Sequence, residues 1–169
     1  ESLDKTSPTL QFSNHSSIIR KVIKNGNKLI SGGGDGKIII QSIDGDFTNK
    51  EIPIEGIVLD ISILNSKIVI ITRGKCVVID LESEYQLKEI SLSGGLRSCS
   101  VSKEKIIISN NKGEIFQLNE NLVITKKIQF GYFPIGKIEI SPDGNTLAIA
   151  SANRRIGIYN LTNLEQDPM

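Results

Sequence analysis

Apolar positions in this chain fall into short runs, each closed by a polar or glycine-bearing turn, and the runs come in sets. Ile18 to Ile23 is the first run, and Lys24-Asn25-Gly26-Asn27 ends it. Lys28 to Ser31 and Lys37 to Ile43 follow, joined at Asp35-Gly36; the polar stretch Asp44 to Asn49 then leads to Glu51 to Ile54. The set recurs as Val58 to Ile63, Lys67 to Thr72, Lys75 to Leu81 and Leu87 to Leu92. It recurs again as Ser98 to Val101, Lys105 to Ser109, Glu114 to Leu118 and Thr125 to Phe130. A last set runs Lys137 to Ile140, Thr146 to Ala150 and Arg155 to Leu161, with Ser141-Pro142-Asp143-Gly144-Asn145 as its first turn. Its fourth run is missing or degenerate, ending in Glu165-Gln166-Asp167-Pro168-Met169. Val58 to Ile63 alternates with period two, the mark of a half-buried strand. No segment sustains a 3.6-residue apolar period, so the pattern predicts strands and almost no helix.

The sets return at a spacing of roughly 40 residues, the period of propeller blades. Four strands at that period describe one antiparallel blade of a β-propeller, an all-β fold. A unit of that length cannot bury its own apolar faces, so successive copies must stack. The blades are expected at about residues 12–54, 55–93, 94–130 and 131–165, making residues 1–169 a single propeller segment. Four such blades leave strand edges unpaired unless the ring is closed by more of them. Leu10 to Phe12 reads as the outer strand of an earlier blade. The chain is therefore expected to be part of a larger propeller, with the remaining blades in the same or another chain.

Composition narrows the class without naming a task. Isoleucine is used heavily, which suits a pleated surface. Twenty Lys and Arg against nineteen Asp and Glu give a net charge of +1, so no global field favours nucleic acid or a membrane. No apolar run is long enough to span a bilayer as a helix. Cys76 and Cys99 lack metal or redox spacing and read as reduced thiols on strands, which suits a cytosolic or nuclear protein.

Three residues of the first set carry a known pattern. His15 precedes the first strand, Ser31 ends the second, and Asp35 lies in the following turn. Ser141-Pro142-Asp143-Gly144 before Leu147-Ala148-Ile149-Ala150 is a second familiar signature. In these features the chain resembles the WD40-repeat propellers. The resemblance implies a structural tetrad in which the Asp binds the His, the His binds the Ser, and the Ser binds a Trp on the third strand. Here Gln41 stands at the Trp position, and Gln41-Ser42 replaces the Trp-Asp dipeptide. The order of blades is one with His and an Asp-Gly turn, two without His, and one with a Ser-Pro-Asp turn. Over about residues 14 to 161, through His15-Ser16-Ser17-Ile18-Ile19, Ile70-Ile71-Thr72 and Gly157-Ile158-Tyr159-Asn160-Leu161, this order looks like the second propeller of the actin-interacting protein 1 family. That resemblance implies actin and cofilin as partners, promotion of filament disassembly, and a cytoplasmic, cytoskeleton-associated location. Another WD40 scaffold, in a vesicle coat, RNA processing or a ubiquitin ligase, is the alternative.

Candidate chemistry is sparse, and no cofactor is called for. Ser-His-Asp is formally a nucleophilic set, but no Gly-x-Ser-x-Gly elbow accompanies it, and a structural tetrad explains the same residues better. Gly32-Gly33-Gly34-Asp35-Gly36 precedes a strand, whereas a phosphate loop needs a following helix. Asp143 lacks a ligand cluster for a metal. A non-enzymatic interaction protein is the expectation. In a propeller, the turns between second and third strands share an end with the inter-blade loops. That placement gathers Arg73, Lys112, Arg154 and Arg155 from the turns with Arg97, Tyr132 and Phe133 from the loops. Cations interleaved with aromatics suit docking to an acidic protein; a solvated rim with incidental cations is the plain alternative, and nucleic acid lacks the dense basic stripe it would need.

Overall fold

Ile68-Val69-Ile70-Ile71 is a continuous apolar run in which every residue is buried, and the way it is buried explains the architecture. Side chains on a strand point alternately to opposite faces. Ile68 and Ile70 enter one core with Ile30, Ile38 and Ile40, whereas Val69 and Ile71 enter another with Ile106, Ile108 and Phe116. A third core holds Ile107, Ile115, Ile138, Leu147 and Ile149. Each inner sheet is thus apolar on both faces because another sheet covers each of them. The expectation that Val58 to Ile63 is half-buried is corrected accordingly: Asp60 and Ile61 are both buried, since sheets pack on either side.

The computed structural model describes residues 11–44, 48–83 and 86–163. Among them the first blade comprises β1 (Ile19–Asn25), β2 (Lys28–Gly33), β3 (Lys37–Ser42) and β4 (Asn49–Pro53), hydrogen-bonded in that order. The second comprises β5 (Asp60–Leu64), β6 (Lys67–Ile71), β7 (Lys75–Asp80) and β8 (Gln86–Ser91). The third comprises β9 (Leu96–Ser102), β10 (Lys105–Asn110), β11 (Glu114–Asn119) and β12 (Ile124–Gln129). The fourth has β13 (Ile135–Ile140), β14 (Thr146–Ser151) and β15 (Ile156–Asn160), followed by a 3-10 turn at Leu161–Asn163. All pairings are antiparallel between neighbours in sequence, and the first strands of successive blades lie against one another.

Strand limits depart from the sequence pattern at several ends, β5 starting at Asp60 rather than Val58 and β4 at Asn49 rather than Glu51, and one departure recurs. β9 and β13 start at Leu96 and Ile135, earlier than Ser98 and Lys137, because a register shift lets each strand begin before the alternation resumes. The skipped residues are Arg97 and Gly136, and the same irregularity in β1 skips Arg20. Residues 11 and 12 are not in a strand, and Leu10, with the final residues 164–169, lies outside the described part. The outer face of blade four is uncovered, with Ile156 at 78% and Ile158 at 44% exposure.

Candidate functional site

Aligning the four blades by register brings two equivalent positions together at the end of the first strands. The skipped position carries Arg20, Leu59, Arg97 and Gly136, and the next carries Lys21, Asp60, Ser98 and Lys137. The second rank closes on itself. The buried Asp60 carboxylate accepts hydrogen bonds from the Ser98 hydroxyl at 2.7 Å, the Cys99 N–H at 3.1 Å and the Lys137 ammonium at 2.9 Å. Lys21 Nζ lies 3.5 Å from its other oxygen, which also accepts from the Ile61 N–H at 3.0 Å. One carboxylate thus ties together all four blades. Burial pushes the Asp60 carboxyl up, but Ser98, Lys137 and Lys21 outweigh it and hold it below the ordinary value of 3.8. Burial pulls Lys137 down, and Asp60 outweighs that and raises it above 10.5. A buried charge stays ionised only when its lone pairs are met in this way.

Among the described residues, the arginines of the first rank form no ion pair. Arg20 and Arg97 join Arg73 of the β6–β7 turn in lining a cavity of about 240 Å³, together with Ile57, Leu59, Leu96 and Asn111. An adjoining opening shares Arg20, Leu59 and Arg97 and adds Lys21, Asp60 and Lys137. The two openings together therefore set one carboxylate, already satisfied, against five cations.

The turns and the inter-blade loops do share one end of each blade. Leu96 N–H donates to the Arg73 carbonyl at 2.8 Å, Asn111 N–H to Gly94 at 3.1 Å and Ala152 N–H to Pro134 at 2.9 Å. Each turn is capped by a different side chain. Asp35 accepts from Lys37 N–H, the Thr72 hydroxyl from Lys75, Asn110 from Lys112 and Glu114, and Asn153 from Arg155. Gly36 and Gly113 take the left-handed backbone that this turn needs, at φ +70° and +73°. Arg154 adopts it at φ +67° with a side chain attached, a conformation that costs about 1 kcal/mol.

The seven residues assigned to the basic and aromatic rim are all exposed, but they fall into separate groups. Arg73 and Arg97 meet at the three-arginine cavity. Tyr132, Phe133 and Arg155 line a second, open cavity of about 440 Å³ beside Ile156 on blade four. Lys112 and Arg154 line neither cavity. Arg20, Lys21, Asp60 and Lys137 were missed by the sequence reading. The signal that finds them is the alignment of copies, which puts Lys, Asp, Ser and Lys at one repeat position.

The His15 set forms hydrogen bonds within blade one. His15 Nδ1 donates to Asp35 at 2.9–3.0 Å, and Nε2 meets the Ser31 hydroxyl at 2.8 Å. Asp35 also accepts the Ser16 N–H at 3.0 Å; burial raises its carboxyl, and Ser16, His15 and Lys37 outweigh that and lower it. Gln41 accepts from the Asn14 amide at 2.9 Å and donates to the Ser42 and Thr48 carbonyls, both at 3.1 Å. Ser31 sits within β2, paired with Val22 and Ile39 on either side. Its backbone belongs to the sheet and offers no pair of converging N–H groups to hold an oxyanion. Asp143 is occupied by Ser141 and Asn145, and among the described residues no group of His, Cys, Asp or Glu could hold a metal.

Among solved structures, the chain is similar to Hsv2 of Kluyveromyces lactis, a β-propeller protein. The TM-score is 0.69 at 14% identity, covering 86% of this chain and 49% of that one. A form of the same protein with loop 6CD replaced by a Gly-Ser linker gives a TM-score of 0.73 at 14% identity, covering 90% and 53%. No family model matches the chain, and no curated protein matches it by sequence. The fold is that of a β-propeller, as the blade period implied. The chain spans about half the length of the structures it matches.

Proposed function

We propose that this chain is a non-enzymatic docking module whose basic end, where the turns and inter-blade loops meet, captures an acidic protein surface. The propeller fold supports a protein-interaction role in general. The observation that carries the choice of face is the three-arginine cavity beside the closed Asp60 cluster. Charge complementarity of this kind governs encounter rate and partner choice. Arg73, Lys112, Arg154, Arg155 and Tyr132 are the proposed contacts, with Arg97 and Phe133 beside them.

The resemblance of residues 14 to 161 to the actin-interacting protein 1 family makes a cofilin-decorated actin filament the partner to test first, in the cytoplasm at the cytoskeleton. A rigid face that binds the decorated filament better than the bare one shifts it toward severed states. Co-sedimentation with actin filaments, with and without cofilin, tests this. Cofilin-dependent pelleting with release of actin to the supernatant supports it. Absence of pelleting in both conditions, from a folded sample, removes actin and leaves the scaffold of another assembly.

A further inference from the structure

We propose that the cavity between Arg20, Arg73 and Arg97 is a carboxylate-binding site that takes an acidic side chain of a partner peptide, with an aliphatic or aromatic neighbour seated beside it. This proposal rests on the docking reading above and goes further by naming the pocket and the chemistry it accepts. The lining holds three guanidinium groups and no carboxylate. Among the described residues none of the three arginines makes an ion pair, although surface lysines around the molecule do so repeatedly. The acid of the adjoining opening is Asp60, and its oxygens are spent on Lys21, Ser98, Cys99 and Lys137. Three like charges around one cavity repel each other until an anion enters.

Arg97 is held in place. Its Nε donates to the Asn111 side-chain oxygen at 2.5 Å, which leaves the terminal N–H groups of the guanidinium for a second acceptor. A carboxylate fits that fork through two parallel hydrogen bonds. The walls supply the rest of the recognition. Ile57 is 47% exposed, Leu59 half-buried and Leu96 fully buried, so apolar surface lies directly beside the cations. Nucleic acid would need basic residues spaced along a track and aromatic stacking platforms, whereas here the cations converge on one cavity with aliphatic sides. The geometry favours a peptide.

The test is fluorescence anisotropy of the full chain with a short labelled peptide alternating Glu and Leu, against its Gln–Leu counterpart, a phosphoserine peptide and vesicles of anionic lipid. Saturable binding of the Glu–Leu peptide, absent for the Gln–Leu form, is expected. Arg20→Ala and Arg73→Ala each weaken it about tenfold, the loss of one charge-assisted hydrogen bond. Lys24→Ala, an exposed β1 residue that lines none of these cavities, leaves it unchanged, and thermal unfolding shows all three variants folded. Equal binding of the Gln–Leu peptide, or unchanged affinity in both arginine variants, overturns the site. So does preference for the phosphoserine peptide or the vesicles. If the peptide fails while the whole partner still co-sediments, the pocket falls and the docking face stands; if neither binds, both fall.

Discussion

The Asp60 carboxylate accepts a hydrogen bond from the Ser98 hydroxyl at 2.7 Å across the boundary between the second and third blades. Both residues are buried, and the same Asp60 oxygen receives Lys137 from the fourth blade. Replacing Asp60 by Ala leaves the Ser98 hydroxyl without its acceptor, Lys21 without its carboxylate and Lys137 with only Glu139 at 3.8 Å. The expected cost is about 1–3 kcal/mol, read as a lower midpoint in urea unfolding. Ser98→Ala, which removes one neutral donor and the 3.4 Å acceptor of the Ile138 N–H, costs less. Equal midpoints for wild type and Asp60→Ala would show the cluster to be energetically idle.

Acid should act through the same residue. The folded-state Asp60 carboxyl lies below its ordinary value of 3.8, so the unfolded chain takes up the proton first. Its stabilisation is complete above that value and is lost as pH falls through the folded value. Lys137 behaves oppositely: raised above 10.5, it contributes fully below that value and loses its contribution as pH rises beyond it. Unfolding midpoints are therefore expected to be flat through neutrality and to drop below about pH 4. In Asp60→Asn the acid drop becomes shallower; an unchanged acid limb in that variant contradicts the assignment.

The thiols are expected to be inert. Burial pushes Cys76 up to about 12, and burial with the nearby Asp60 charge raises Cys99 as well. The thiolate is the reactive form. Titration with a disulfide reagent at neutral pH should find no reactive cysteine in the folded protein and both of them in denaturant.

Blade stacking can be separated from blade formation. Ile107 is fully buried in the core between blades three and four, whereas Ile156 is 78% exposed on the outer face of blade four. Ile107→Ala should cost about 2–5 kcal/mol. Ile156→Ala should stay within about 0.5 kcal/mol. A costly Ile156→Ala in the monomer would mean that this face is already covered.

Much of the fold was legible because alternation, turn glycines and a fixed period all agree. Ile106-Ile107-Ile108 reads as a strand from sequence alone; that its members divide between two cores follows only once sheets are stacked. The register shifts at Arg20, Arg97 and Gly136 were not legible, because a skipped residue leaves no mark in a single copy. Asp60 was hidden for the same reason. Within Val58-Leu59-Asp60-Ile61 it reads as an outward polar residue, and its burial depends on Ser98 and Lys137 arriving from other blades. The rim was readable as a set of turn residues, but which of them meet depends on how blades lean. Arg73 and Arg97 converge, whereas Lys112 lines neither cavity.

The basic end of the blades is the proposed docking face. The most direct measurement is co-sedimentation with cofilin-decorated actin filaments, comparing wild type with Arg73→Glu/Arg97→Glu and with Arg154→Glu/Arg155→Glu. Cofilin-dependent pelleting of the wild type is expected, with near-complete loss for the Arg73 and Arg97 reversal and weaker binding for the Arg154 and Arg155 reversal, all with unchanged unfolding midpoints. Undiminished pelleting of both folded variants would contradict it.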